Sequence, residues 1–325
     1  MLLSKLCNSF GVSGYEYDIR DFIKKEAKEY VENVSVDNIG NIIAHKECGN
    51  KKIILDVHID EVGLIITGYN EDGTFRFNSL GKIDTNIIPC QTVFVGEDKI
   101  PGVIGFKPIH IQKEKSNKIS YKDCCIDIGC NNKNQAKNLI KLGDSVVFDT
   151  KFSAFGGKFI KGKALDNRIG CFILLDLLKN NYNLNLYGVF NCQEKIGARG
   201  AQISSYRIKP DLVIIIDVID IKNDDKSGIK LGSGPIIPII SKESIFDKKL
   251  HTSILKLADK KRIPYQVKTY IEEVKDVESY FRKNAISILV PCKYASSSIS
   301  VASIEDIENT KVLIEEFLNT FSKGE

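Results

Sequence analysis

Tryptophan is absent from this chain of 325 residues, and proline occurs only eight times. No apolar run approaches the roughly 20 residues needed to cross a bilayer, so a membrane partner is not expected. Met1-Leu2-Leu3-Ser4-Lys5 lacks the long apolar core of a secretion signal. No basic block accompanies the net charge of +4, so nucleic acid is not implied as a partner. The charged stretch from Lys222 to Lys226 mixes signs and reads as a solvated loop. Nine cysteines are present (Cys7, Cys48, Cys90, Cys124, Cys125, Cys130, Cys171, Cys192, Cys292), but none forms a Cys-x-x-Cys pair, which argues against a zinc ribbon or a thioredoxin-type site. An odd set of thiols, several inside apolar runs, fits small packed hydrophobes in a reducing cytoplasm. Internal repeats and low-complexity stretches are missing as well.

What is there is ordinary for a globular chain: 43% hydrophobic and 27% charged residues, enough to bury a real core. The length fits one large domain plus a smaller one. Apolar residues at helical spacing (Ile19, Phe22, Ile23, Ala27) predict an amphipathic helix over Tyr15 to Val31. Strands are expected at Val34 to Asp37 and Asn41 to His45 around the turn Asn38-Ile39-Gly40. The nearly continuous apolar run Lys52 to Val57 reads as a strand buried on both faces.

Between about Ile65 and Lys151 short alternating segments (Thr74 to Asn78, Thr92 to Val95, Val146 to Asp149) are separated by Gly, Asn and Asp. This is a β-rich module with one helix at Lys133 to Lys141. Beyond Phe155, helices and strands alternate. Helices are expected at Arg168 to Leu178, from Gly200, at Asp247 to Lys260, Val277 to Arg282 and Ile304 to Phe321. Strands are expected at Leu184 to Asn191, Leu212 to Asp217 and Ala285 to Val290. A β-module inserted into one α/β domain explains the order better than two domains in series.

In open α/β sheets, sites form at the carboxyl ends of strands. Polar residues stand where apolar runs stop: His58-Ile59-Asp60, Gln193-Glu194 and Asp217, with Asp166 in a loop before a helix. One imidazole and several carboxylates form a ligand set suited to divalent metals. On an extended chain His58 and Asp60 point the same way, so Asp60 can accept a hydrogen bond from the ring nitrogen that His58 does not use for a metal. Singly each element has an ordinary structural explanation, because strand ends often carry caps. His45, His110 and His251 lack neighbouring carboxylates at a buried strand end and read as solvated or hydrogen-bonded side chains.

The segments Val57-His58-Ile59-Asp60-Glu61-Val62-Gly63, Gly162-Lys163-Ala164-Leu165-Asp166-Asn167-Arg168-Ile169-Gly170 and Gln193-Glu194-Lys195-Ile196-Gly197-Ala198-Arg199-Gly200-Ala201 resemble the three signature stretches of the tetrahedral (TET-type) aminopeptidases. That family includes glutamyl and deblocking aminopeptidases, some once labelled cellulase M. The likeness continues through Ser13-Gly14-Tyr15-Glu16, Leu231-Gly232-Ser233-Gly234-Pro235 and Ile263-Pro264-Tyr265-Gln266, and so covers nearly the whole chain. It implies an α/β fold in which a three-layer αβα metallopeptidase domain of phosphorylase/hydrolase-like type (1–65 and 154–325) carries an inserted β-rich dimerisation domain (66–153). It also implies zinc or cobalt as cofactor, removal of N-terminal residues from peptide substrates, and homo-oligomers from dimers up to a hollow dodecamer. By position, His58, Asp166 and Asp217 hold metal, with Asp166 bridging two ions, while Glu194 is the general base and Asp60 the second catalytic residue. A cellulase reading, inherited from the older label, would need two carboxyl groups flanking a sugar cleft, and the chain has no tryptophan to stack on a sugar ring.

The chain departs from the family at particular places. Lys195 stands where a second glutamate binds the second ion, and Ser296 where a histidine follows a Pro-x-Arg-Tyr segment. Ser300 replaces a usual glutamate, and Ile271-Glu272-Glu273 replaces a Thr-Asp-Ala segment. An ammonium has no free lone pair and repels a dication. It can instead pair with Asp166 and stand in for the missing charge. A solvated Lys195 would require its loop to turn outward, although Glu194 and Gly197 keep their family places. Two expectations follow: a hydrolase with at most one ion per chain, or a catalytically inactive homologue that assembles or binds peptides.

Overall fold

The protein is described from a computed structural model, over residues 1–106, 119–221, 228–242, 246–271, 279–280 and 284–322. The expected solvated loop at Lys222 to Lys226, His110 and the replaced pair Glu272 and Glu273 lie outside these residues, and most of the expected helix Val277 to Arg282 does too.

Three strands precede the β-module: β1 (Asn33–Val36), β2 (Ile42–Lys46) and β3 (Lys52–His58). Six strands build the module: β4 (Gly63–Tyr69), β5 (Phe75–Leu80), β6 (Thr92–Val95), β7 (Ile100–Phe106), β8 (Cys124–Asp127) and β9 (Ser145–Phe148). Eight follow: β10 (Ser153–Phe155), β11 (Phe159–Gly162), β12 (Asn185–Asn191), β13 (Leu212–Asp220), β14 (Ile236–Ser241), β15 (Gln266–Ile271), β16 (Ala285–Lys293) and β17 (Ser300–Ser303). The helices are α1 (Leu2–Asn8), α2 (Tyr17–Lys28), α3 (Lys133–Leu139), α4 (Leu165–Leu177), α5 (Arg199–Ile208), α6 (Lys248–Lys261) and α7 (Ile304–Ser322).

The main sheet is mixed, in the order β1-β2-β12-β3-β13-β16-β17-β11-β10, with β14 and β15 branching from β16. Its centre is parallel: β12 and β13 both run alongside β3, and β16 alongside β13. These strands are near-continuous apolar runs because helices cover both faces. Alternate residues serve opposite layers. Ile53, Leu55 and Val57 pack with α1, α2, α4 and α7, whereas Ile54, Val213 and Ile215 pack with Ala201 and Ile208 of α5. The layers are therefore helix, sheet, helix.

β4 to β9 close into a barrel, β4-β5-β8-β7-β6-β9, with its own core of Leu64, Ile66, Phe75, Phe77, Val93, Val95, Ile104, Ile126 and Val146. Closure removes the unpaired edges that an open sheet of short strands would expose. The chain leaves β3 for the barrel directly after His58-Ile59-Asp60-Glu61-Val62, so the site is built at the junction.

Candidate metal and catalytic site

β3 ends at His58, whose ring is fully buried. Its parallel neighbour β12 places Asn191 in register with His58, so the turn that follows brings Glu194 and Lys195 over the same sheet end. Gln193 makes that turn with φ 59°, and Ser296 across the site has φ 58°. For residues other than glycine this left-handed backbone costs on the order of 1–2 kcal/mol, a cost recurrent at functional sites. Gly200 at the start of α5 has no room for a side chain, because a Cβ would meet the backbone carbonyl and amide of Cys192 and the side-chain Oδ1 of Asn41. The spacing of Glu194 to Gly200 is thereby fixed by backbone contact.

Asp166 enters from the start of α4, through a cis peptide to Asn167. Both residues have non-helical backbone angles, and the regular helix starts near Arg168. Asn167 Nδ2 donates to the carbonyl of Ile216 at 2.8 Å, tying this turn to β13, whose Asp217 completes the cluster.

His58 Nε2 lies 3.0 Å from Asp166 Oδ1, 3.5 Å from Asp217 Oδ1 and 3.9 Å from Glu194 Oε2. Its Nδ1 is 3.4 Å from Asp60 Oδ1 and 3.2 Å from the Asp60 carbonyl. Asp60 also accepts from the backbone amides of Glu194 (3.0 Å) and Lys195 (2.9 Å) and from the Ser13 hydroxyl. Lys195 Nζ donates to both oxygens of Asp166, at 3.0 and 2.9 Å, and pairs with Glu194 Oε2 at 3.0 Å. The Ser296 hydroxyl is 3.4 Å from Asp166 Oδ2. All seven residues singled out from the sequence (His58, Asp60, Asp166, Glu194, Lys195, Asp217 and Ser296) therefore meet in one place.

The charges are interlocked. Burial opposes an imidazolium at His58 and so does Lys195, but Glu194, Asp166 and Asp217 outweigh both and raise His58 well above the ordinary histidine value. Burial pushes Asp166 up, yet the Lys195 ammonium and His58 hold it below the carboxylate range. Burial likewise pushes Asp60 up, but the hydrogen bond and charge of His58 and the Ser13 hydroxyl bring it down to about 2. Lys195 is raised well above its ordinary value because Asp166 and Glu194 overcome its burial. Asp217 is raised, chiefly by burial.

Ligand atoms of His58, Asp166 and Asp217 lie within 4.8 Å of one another, and among the described residues this is the one such group of three. That span suits a single divalent ion with bonds of about 2.0–2.2 Å to nitrogen and oxygen. The Lys195 ammonium, 3.4 Å from His58 Nε2 and 3.0 Å from Asp166 Oδ1, and the Ser296 hydroxyl are not a donor set for a further dication.

Some contributors were not singled out from the sequence. Ser13 holds Asp60, and Glu16 accepts from the amides of Gly14 (2.9 Å) and Gln193 (3.1 Å). Burial and the neighbouring Asp60 push Glu16 up to about 7. The Ser13-Gly14-Tyr15-Glu16 stretch was the available signal. Ser300, in a usual glutamate's place, donates to the Tyr294 carbonyl at 3.1 Å. The other histidines stand apart: His45 bonds Asn185 Oδ1 at 2.6 Å and stacks on Tyr187, and His251 is lowered by burial. No helix among the described residues is long and apolar enough to cross a membrane.

Comparison with known proteins gives the family and the fold. The chain is 32% identical to the FrvX protein of Escherichia coli K12 over 99% of this chain and 95% of that one. It superposes on aminopeptidase APDkam598 of the archaeon Desulfurococcus kamchatkensis with a TM-score of 0.92, at 29% identity over 98% of this chain and 93% of that one. On the TET1 peptidase of Pyrococcus horikoshii, which can assemble into a tetrahedron or a large octahedral shell, the TM-score is 0.89 at 31% identity over 98% of both. The family model for M42 glutamyl aminopeptidases matches residues 40–313, and the chain belongs to that family.

Proposed function

We propose that this protein is a metal-dependent aminopeptidase that hydrolyses the first peptide bond of peptides, using a site for one divalent ion. His58, Asp166 and Asp217 hold the ion, zinc or cobalt by family resemblance. The observation carrying this reading is the Lys195 ammonium bonded to both oxygens of Asp166, the aspartate that bridges two ions in the family pattern. Exchanging glutamate for lysine changes the local charge by two units, the charge of one dication. One ion plus Lys195 therefore leaves the cluster with the charge that two ions would leave with a glutamate there.

Bound at these ligands, the ion would supply Lewis acidity toward the carbonyl and toward water. The chain's own groups do the rest. Glu194 takes a proton from the attacking water and returns it to the departing nitrogen. Asp60 orients His58 through its Nδ1 side and anchors the Glu194 backbone, so the base and the ligand move as one unit.

A second reading is favoured by the ion pair between Lys195 and Glu194. If that contact keeps the carboxylate from water, the chain is a catalytically inactive relative that binds peptides or assembles. Elemental analysis of the purified protein, run beside an aminoacyl-anilide assay with added zinc or cobalt, separates the two. About one ion per chain with turnover supports the enzyme, and ion-free protein without turnover supports the inactive relative.

The double variant Lys195→Glu with Ser296→His restores a carboxylate and an imidazole beside Asp166. Calorimetric titration with zinc is expected to show occupancy rising from one ion to two per chain. Unchanged occupancy would mean that Lys195 and Ser296 do not occupy the second ion's ligand positions.

The barrel, which runs from Gly63 to Phe148 and so begins before the expected module 66–153, is the proposed dimerisation module, and assembly is proposed to run from dimer to dodecamer, as the TET1 relative's shells suggest. Light scattering is expected to give a mass of at least two chains, and a monomer at micromolar concentration would refute this.

A further inference from the structure

We infer that Glu16 is a positioning residue of this site: its buried carboxylate holds the left-handed turn at Gln193 that aims Glu194 and Lys195, and the same charge lowers the stability of the fold. The kinetic part of the inference rests on the hydrolytic reading above; the structural part does not.

Four successive backbone amides of this turn are each received by a side-chain oxygen from a distant part of the chain. The Cys192 amide donates to Asn41 Oδ1 at 2.8 Å, and that of Gln193 to Glu16 Oε1 at 3.1 Å. Those of Glu194 and Lys195 donate to Asp60 at 3.0 and 2.9 Å. Of the four, Gln193 is the residue with positive φ, at 59°, so the bond to Glu16 restrains the strained position. Glu16 directly precedes α2, yet its side chain does not cap that helix. Its Oε1 turns to Gln193 and to the amide of Gly14, at 2.9 Å.

The three acceptors differ in how their charge is met. Asn41 is neutral. Asp60 faces His58 Nδ1 at 3.4 Å and takes the Ser13 hydroxyl. Glu16 is 4% exposed, and among the described residues no lysine, arginine or histidine is in ion-pair contact with it; its hydrogen bonds come from backbone amides. A buried carboxylate without a cation is costly, and a neutral side chain of the same shape would avoid that cost. What the charge adds is bond strength, because a hydrogen bond to an ion is roughly twice as strong as one to a neutral oxygen. That strength acts where the turn would otherwise relax, and a shift of about 1 Å in a positioned group can lower a rate about 100-fold.

The titratable groups facing Glu16 are Asp60, after β3, and the Cys192 thiol, just past β12; Arg20 of α2 and Asp37 of the β1–β2 turn act on that thiol. Burial, and then the neighbouring Asp60, push Glu16 up to about 7. A carboxyl raised in this way binds its proton more tightly in the fold than in the unfolded chain. Its contribution to stability is complete below the ordinary value of 4.5 and is lost as pH rises through about 7. Above that pH the protein gains the charged bond to Gln193 and loses stability.

The test is Glu16→Gln, which keeps an acceptor oxygen and removes the charge. On aminoacyl-anilides at pH 8, we expect kcat about tenfold below the parent, with KM within about twofold. The melting temperature at pH 8 should be at least about 2 °C higher in the variant. Both differences should shrink as the pH is lowered to 6, where the parent's own Glu16 takes up a proton; the ratio at each pH cancels groups common to both proteins. An unchanged kcat, an effect confined to KM, or a ratio independent of pH overturns the inference while leaving hydrolysis established. A variant that is less stable than the parent at pH 8, or that does not fold, makes Glu16 an anchor of the fold and overturns it as well. If the parent shows no turnover, the hydrolytic reading fails instead, and hydrogen exchange across residues 190–200 at pH 8 decides. Faster exchange in the variant supports the inference; equal or slower exchange overturns it.

Discussion

Glu194→Gln is expected to lower the turnover of aminoacyl-anilides by about 100- to 10,000-fold, the usual worth of a positioned general base. Ion content and folding should not change. The substitution is nearly isosteric and removes only the capacity to take a proton. Lys195 keeps Asp166 as its partner at 2.9 Å, so no buried cation is orphaned. The backbone amide of residue 194 still donates to Asp60, which keeps the turn in place. Steady-state kinetics with elemental analysis of the same sample reads both quantities. Turnover within threefold of the parent would exclude Glu194 as the base. A parallel loss of metal would show that the residue acts through the ligands.

Much of this site was legible because it sits where apolar runs end. The apolar run ending at Val57 is followed by His58, the last residue of β3. The one ending at Ile216 is followed by Asp217, which lies inside β13 because that strand runs on to Asp220, and the parallel sheet brings the two positions together. Thr92 to Val95 was read with its true limits, because alternation is unambiguous in a barrel strand with one face buried. The helix expected from Arg168 shows why the regular helix starts there: Asp166 and Asn167 belong to a turn whose angles serve the site, not the helix.

What the sequence concealed was of two kinds. The strands β10, β11 and β17 at one end of the main sheet, each three or four residues long, are too short to show a period. Contacts across long separations leave no local trace. Lys195 reaching Asp166, and Ser13 reaching Asp60, depend on the left-handed turn at Gln193 and on a parallel bridge between Val12 and Glu61. Neither residue is a glycine or asparagine that would announce an unusual turn.

That bridge leads to the second large effect. Glu61→Ala is expected to destabilise the protein by about 3–5 kcal/mol, the usual cost of breaking a buried ion pair from one side. Glu61 is 2% exposed and is the shared anion of Lys163, at 2.7 Å, and Arg168, at 3.4 Å, which are themselves 4% and 0% exposed. Removing it strands two buried cations. Arg168 keeps hydrogen bonds to the carbonyls of Ile59, Leu6 and Ser9, but those dipoles replace only part of a full negative charge. Lys163 retains the Ser9 carbonyl and the face of Phe10.

The variant also probes function, because the same cluster fixes the segment between β3 and the barrel. Arg168 Nε holds the Ile59 carbonyl at 2.9 Å, one residue beyond His58, and the Glu61 backbone pairs with Gly11 and Ser13. Chemical denaturation should show the loss of stability, and zinc titration of the still-folded fraction should show weakened binding at His58. A double variant, Glu61→Gln with Lys163→Met, removes the charge and one stranded cation together and should recover much of the stability, because uncompensated charge costs more than lost attraction. If the double variant were no more stable than Glu61→Ala, packing around Phe10 and Cys7, not electrostatics, would be what the cluster provides.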